Sequence, residues 1–309
     1  MGCLGGPRAR AQGVSVSSLP TAVFWLMLTI LRHSFDAVRH FSQDFVLEFI
    51  SHLDETLGKS WFFIGEYWKP FVDQLEKFLS RMDDRFWLFD APLVENFFIF
   101  SRLPGADLTM VFDGSLVQSR PRNAVTLVMN HDTQPGQAVE RIIADFFKPL
   151  AYALILLRVD GYPCVFYGDL YGIKGHQTFP PSCSGALPSL ILARKLYAYG
   201  EQTDYFDKPN CIGWTRSGTH DRRSGCAVVM SNGGEGRKKM FIGKEHRGEV
   251  WTDVLAWSYG HVKIEDDGWA NFRCQGRSVS VWVNKEAAGR DKFGKLWVYS
   301  PNLSYYSLG

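Results

Sequence analysis

Cysteine is scarce in this chain. Six among 309 residues are too few for a disulfide scaffold, and no two are spaced Cys-x-x-Cys as a structural zinc site needs. Free thiols in a reducing compartment are the expectation, and with them a cytoplasmic location. A surplus of either charge is missing as well. Lys and Arg total 34 against 32 Asp and Glu, a net charge of +2, which argues against a dedicated nucleic-acid binder. No stretch reads as a membrane span: the apolar run Thr21–Leu31 has eleven residues, and a spanning helix takes about 20. Arg8 and Arg10 before that run imitate a signal peptide. Arg32-His33-Ser34-Phe35 follows it, however, where a small-residue cleavage site would stand. Gly6 occupies the place where an N-myristoylation signal prefers Ser or Thr. Neither a membrane nor a nucleic acid is expected as a partner.

What the chain does hold is apolar and aromatic material. Hydrophobic residues make up 46%, enough for a sizeable core, and 10 Trp and 12 Tyr offer flat faces for packing or for stacking on sugars. From residue 35 the pattern alternates. Asp44–Leu57 has a helical period, Trp61–Gly65 reads as a buried strand, Phe71–Arg81 as a helix and Arg85–Phe89 as a strand. Pro92–Ser101 reads as a helix, Ala124–Met129 as a strand, Gln137–Arg158 as a long helix broken or bounded at Pro149, Pro163–Tyr167 as a strand and Ala186–Tyr199 as a helix. Such alternation implies parallel βα units. Beyond about Tyr205, seven short segments follow: Cys211–Arg216, Cys226–Ser231, Lys239–Ile242, Glu249–Leu255, His261–Ile264, Asn271–Cys274 and Ser278–Val283. Turn signals at Asn232-Gly233-Gly234 and Asp266-Asp267-Gly268 separate some of them, as in an antiparallel sandwich.

Chemistry becomes possible at strand ends. Asp36 precedes Ala37-Val38-Arg39-His40, Glu66 follows Phe62–Gly65, and Asp132 follows Leu127–His131. Asp36 and Glu66 are one βα unit apart, so their strands are expected as neighbours about 4.8 Å apart. That spacing brings two carboxyl groups to about 5–5.5 Å, the separation of a retaining glycosidase. Acidic residues at strand ends are also common helix N-caps, so spacing alone does not decide between the two.

The residues around these carboxylates go further. Phe35-Asp36-Ala37-Val38-Arg39-His40, Gly65-Glu66-Tyr67-Trp68-Lys69 and Asn130-His131-Asp132 together strongly resemble the alpha-amylase family, glycoside hydrolase family 13. The liquefying bacterial type and its non-secreted fungal relatives are the most similar group. Phe147–Ala153, Gly161–Asp169, Ala193–Gly200 and Gly248–Asp253 extend the likeness in order, so that it runs from about Phe35 to Lys285. The resemblance implies an α/β fold, a partial TIM (β/α)8 barrel made of strands 4–8, followed by an antiparallel β-sandwich. It implies endo-hydrolysis of α-1,4-glucosidic bonds in starch or glycogen by retaining double displacement. Asp36 matches the nucleophile, Glu66 the general acid/base and Asp132 the transition-state stabiliser. His131 matches a hydroxyl ligand, Arg39 and His40 match substrate contacts on the leaving-group side, and Trp68 and Tyr67 are candidates to stack on glucose rings.

Two departures accompany the match. Ser34 stands two residues before Asp36, where the family carries an arginine that holds the nucleophile ionised and oriented. Arg39 replaces the usual lysine, keeping charge but changing donor geometry. The domain reading is residues 1–34 as an unrelated or mispredicted segment, 35–205 as the C-terminal part of the barrel, 206–286 as the all-β domain and 287–309 as a tail. Calcium is the cofactor that the resemblance implies, with the backbone carbonyl of His40 as one ligand and most other ligands missing. A catalytically inactive, truncated remnant with at most weak glucan or partner binding is the competing expectation.

Overall fold

The computed structural model describes residues 32–57, 62–174 and 178–294 of the chain, and these fall into two compact units, residues 1–89 and 90–309. The readings made for residues 1–31, Trp61 and the end of the tail lie outside the described residues.

In the first unit three short strands run parallel, β1 (Arg32–Phe35), β2 (Phe62–Gly65) and β3 (Phe86–Phe89), in that order. Two helices connect them, α1 (Gln43–Leu57) and α2 (Val72–Arg81). Both are amphipathic: α1 buries Val46, Phe49, Ile50 and Leu53, and α2 buries Leu75, Phe78 and Leu79. The strands carry aromatics that pack with the ring of Phe35, which lies 5.4 Å from Phe86, 5.9 Å from Phe49 and 6.1 Å from Phe63. Arg85 forks onto Asp54 across the helix-to-strand connection, donating at 2.5 and 3.1 Å.

The second unit opens with α3 (Ala91–Arg102) and the short α4 (Leu116–Ser119), then β4 (Ala124–Leu127), α5 (Lys148–Leu157) and β5 (Tyr162–Cys164), which pairs with β4 in parallel. α6 (Tyr167–Tyr171) and α7 (Leu187–Tyr197) follow. The helix expected over Gln137–Arg158 is a correction. Only Lys148–Leu157 is helical, with Pro149 in its first turn, where a missing N–H costs nothing. The apolar residues before it, such as Ile143 and Phe147, are buried from turns rather than from a helix face.

The rest of the unit is antiparallel. One six-stranded sheet runs β11-β10-β13-β8-β7-β6, and β9 pairs with β12 in a two-stranded sheet. The strands are β6 (Gln202–Tyr205), β7 (Cys211–Arg216), β8 (Cys226–Ser231), β9 (Gly236–Phe241), β10 (Val250–Asp253), β11 (Val262–Lys263), β12 (Trp269–Cys274) and β13 (Ser278–Asn284). The two sheets share one core of Trp251, Trp282, Phe272, Met240, Ile264 and their neighbours. β6 escaped the sequence reading because it is a polar edge strand, Gln-Thr-Asp-Tyr, with no apolar alternation. Among the described residues, then, parallel α/β units precede antiparallel sheets, and the parallel strands do not close into a barrel. No helix among them is long and apolar enough to cross a membrane. Before the tail passes out of description, Phe293 stacks on Tyr197 at 5.9 Å.

Candidate active site

Strand register brings Asp36 and Glu66 together. Phe35 of β1 pairs with Gly65 of β2, so the two acidic residues leave neighbouring parallel strands at the same level. The backbone holds that level beyond the strands: the Glu66 N–H donates to the Phe35 carbonyl at 2.9 Å, and the Val38 N–H donates to the Glu66 carbonyl at 3.0 Å. Between these bonds Ala37 sits in the left-handed region (φ 47°, ψ 42°), a conformation that costs a non-glycine residue about 1–2 kcal/mol. The resulting sharp turn aims the Ala37 N–H at the Glu66 carboxylate, 3.4 Å from Oε2. The Glu66 carboxylate therefore lies against the residue that follows Asp36. Gly65 makes room for the side chains packed against it, since a Cβ there would stand 3.0 Å from both Leu88 Cδ2 and Val38 Cγ1. Asp36 is exposed and Glu66 half-buried.

Arg39 and His40 follow on a single 3₁₀ turn, Val38–His40, pinned by the fully buried Val38, and both side chains are exposed. Trp68 is half-buried just past β2. Tyr67 packs on Phe78, ring centroids 5.3 Å apart, so part of its surface serves the core of the unit. Ser34 is exposed on β1, two residues before Asp36, which stands in the turn just past the strand.

His131 and Asp132 lie in the second unit, past the end of β4. Asn130 shapes their turn: its Oδ1 accepts from the N–H groups of Asp132 (3.1 Å) and Thr133 (2.8 Å), while Thr133 Oγ1 accepts from the Asn130 N–H at 2.9 Å. His131 Nε2 stands 3.5 Å from Asp132 Oδ1, and the two side chains remain 73% and 41% exposed, available to a ligand. The Asn-x-x-Thr spacing was the signal in the sequence for this turn.

Two further carboxylates went unassigned at the sequence level. Asp90 directly follows β3, yet it is wholly buried and accepts three backbone N–H groups, from Leu93, Leu116 and Val117. Asp169, also buried, is held by Lys148 Nζ at 2.8 Å, by the Tyr152 hydroxyl at 2.6 Å and by the Ser182 hydroxyl. Burial, with the Asp169 charge next in weight, pushes the Tyr152 phenol well above its usual range. Both carboxylates are consumed by the fold.

Among solved structures, the fold is similar to that of alpha-amylases. An Anoxybacillus alpha-amylase superposes with a TM-score of 0.63 at 18% identity, covering 85% of this chain and 61% of its own. An alpha-amylase from Malbranchea cinnamomea gives 0.58 at 16% identity, covering 87% and 59%. No protein-family model matches the chain. Curated relatives do. The glucan 1,4-alpha-maltohexaosidase of Bacillus sp. (strain 707) is 44% identical over 252 residues, 81% of this chain and 48% of that protein. The cytoplasmic alpha-amylase of Escherichia coli (strain K12) is 46% identical over 260 residues, 81% and 52%. Over 81% of this chain the curated relatives, at 40–46% identity, are alpha-amylases and a maltohexaosidase. It spans about half the length of the curated relatives it matches.

Proposed function

We propose that the chain carries retaining hydrolytic machinery for internal α-1,4-glucosidic bonds of starch or glycogen. The observation that carries this reading is the pairing of Phe35 with Gly65, which sets Asp36 and Glu66 just past neighbouring strand ends, with the Ala37 N–H directed at the Glu66 carboxylate. Adjacent strand ends at about 4.8 Å suit the carboxyl separation of about 5–5.5 Å that double displacement uses. Asp36 attacks the anomeric carbon and forms a glycosyl ester as the glycosidic bond breaks. Glu66 gives its proton to the leaving oxygen, then takes one from the water that hydrolyses the ester. Asp132 stabilises oxocarbenium charge, with His131 on substrate hydroxyls. Arg39 and His40 bind on the leaving-group side, and Trp68 stacks on a glucose ring.

In the same reading the five parallel strands are strands 4–8 of a (β/α)8 barrel, residues 206–286 form the C-terminal all-β domain, and the protein works in the cytoplasm. A cytoplasmic alpha-amylase among the relatives and the free Cys164, Cys183, Cys211, Cys226 and Cys274 support that location. Calcium does not fit the residues present. The His40 carbonyl would be a single ligand where the ion takes six to eight oxygens, and no group of three or more His, Cys, Asp or Glu among the described residues is arranged to hold a metal. No step is routed through it.

The test is release of reducing ends from soluble starch by the purified full chain, with the product anomer followed by NMR. The α-anomer should form first, and Asp36→Asn and Glu66→Gln should each lower turnover by about 10³-fold or more. Turnover that survives Asp36→Asn, or a β-anomeric product, refutes the assignment. Glucan binding without any turnover would favour the inactive reading, to which Ser34 in place of an arginine lends support.

A further inference from the structure

Cys211 and Cys274 come from different sheets, β7 and β12, and meet inside the shared core of the antiparallel region. Both residues are buried, at 4% and 2% exposure. Their sulfurs converge over Gly236 of β9, the partner of Cys274 in the two-stranded sheet: a Cβ at Gly236 would stand 2.7 Å from Cys211 Sγ and 2.8 Å from Cys274 Sγ. The missing side chain at Gly236 leaves the space into which both sulfurs project.

The two thiols are electrostatically unlike. The neighbouring Cys274 thiol, with the Lys238 ammonium and the Arg237 N–H, holds the Cys211 thiol below its usual range. The nearness of Cys211, with burial, holds Cys274 above it. Lys238 is itself 4% exposed and tied to Asp207, so its charge is fixed beside the pair. One sulfur is thus prepared as a nucleophile and the other lies within reach to resolve it, the arrangement of a reactive cysteine pair. Cys226 contrasts with them: burial, against the opposing charge of Arg216, pushes its thiol up to about 12.

We propose that Cys211 and Cys274 are a latent disulfide, a covalent modification site that hydrogen peroxide closes between the two antiparallel sheets. The Cys211 thiolate attacks one peroxide oxygen, the O–O bond breaks, and the departing hydroxide takes a proton to become water. The sulfur of Cys274 then attacks the Cys211 sulfenic acid. The S–O bond breaks, and the leaving hydroxide takes up the Cys274 proton as a second water. Two thiols give up two electrons and one peroxide is reduced to two waters.

The experiment exposes the reduced, purified full chain to hydrogen peroxide, alkylates the remaining thiols, digests without reductant and maps the peptides by mass spectrometry. The expected product is a Cys211–Cys274 cross-linked peptide, lighter by two hydrogens, that dithiothreitol separates, with two fewer titratable thiols in denaturant. Cys274→Ser should let dimedone trap a sulfenic acid on Cys211, because its resolving partner is gone. Lys238→Met should slow the cross-link about tenfold, the effect of raising a thiol by one pKa unit at neutral pH. Should Lys238→Met not fold, the Cys274→Ser trapping decides. The proposal fails if both cysteines stay reduced while Cys164 is oxidised, or if Cys211 runs on to the sulfinic acid with Cys274 intact.

Discussion

Removing the carboxylate of Asp90 should destabilise the second unit in a pH-dependent way whose sign follows from its surroundings. Oδ1 accepts the Leu93 and Leu116 N–H groups, each at 3.0 Å, and Oδ2 accepts the Val117 N–H at 2.7 Å. One side chain thus caps α3 and anchors the first turn of α4. Burial pushes its carboxyl from 3.8 up to about 6, against the pull of those three donors. In Asp90→Ala three buried N–H groups lose their acceptor, at about 1–3 kcal/mol each. Relief of the buried charge returns about 3 kcal/mol at neutral pH. The net loss centres near about 3 kcal/mol. Asp90→Asn keeps Oδ1 with its two donors but turns an NH₂ on the Val117 N–H, a loss of about 1–3 kcal/mol that the same charge relief offsets, so its net change at pH 7 should lie within about 2 kcal/mol of zero.

The pH dependence separates charge from shape. With a folded pKa of about 6 above an unfolded 3.8, the native state holds the proton more tightly. This contribution is fully present below pH 3.8 and is lost as pH rises through about 6. Asparagine does not titrate. Urea unfolding of both proteins should therefore show the wild-type advantage over Asp90→Asn larger at pH 4 than at pH 7, by about 2.4 kcal/mol. A wild-type advantage that instead grows toward pH 7 would show that the three N–H donors outweigh burial, and the reasoning would be refuted.

Lys148→Met should leave the Asp169 carboxylate buried without its cation and cost about 3–5 kcal/mol, read as a lower denaturation midpoint. Ser34→Arg should raise the rate of starch hydrolysis about tenfold. A long guanidinium side chain two residues before Asp36 is within reach of its carboxylate, and a pair at 4 Å is worth between about 1 kcal/mol in water and 4 kcal/mol near a protein surface, with the exposure of both positions favouring the lower part of that range. No gain in reducing-end release, or a gain that persists in Ser34→Arg/Asp36→Asn, would sink that expectation.

The antiparallel strands were the most readable part of the sequence. Cys211–Arg216 and Cys226–Ser231 match β7 and β8 end to end, because short apolar runs bounded by turn residues leave little choice of boundary. Where apolar period and burial part company, the reading failed. Ile143 and Phe147 carry a helical spacing and are buried, but Pro149 places the helix start after them. The edge strand Gln202–Tyr205 has no apolar face to betray it and is held by pairing with β7 and by the Arg158–Asp204 fork. The contact of Cys211 with Cys274 is equally silent in sequence, since it depends on a third strand presenting glycine at the crossing point.

Strand-end carboxylates show why a site is harder to read than a fold. Asp36, Glu66, Asp90 and Asp132 each follow a strand segment or the residues that extend it, and by position alone they are equivalent. What separates them is what satisfies each carboxylate. Asp90 meets three backbone donors from two helix starts and disappears from the surface, so its charge serves the fold. At Glu66 the turn at Ala37 directs its N–H toward the carboxylate, which stays half-buried, and Asp36 beside it stays open to solvent. Asp132 is held by its backbone N–H on Asn130 while its carboxylate faces outward beside His131. A helix starting directly after a strand draws its leading carboxylate inward as a cap, whereas a tight turn before the next helix leaves the carboxylate outside. Residue order around Asp90, with Pro92 in the first turn of α3, already carries the first pattern, and Ala37-Val38-Arg39-His40 after Asp36 carries the second. The local chain path after each carboxylate is therefore the physical quantity that sorts structural from functional acids, and the family motifs register it without naming it.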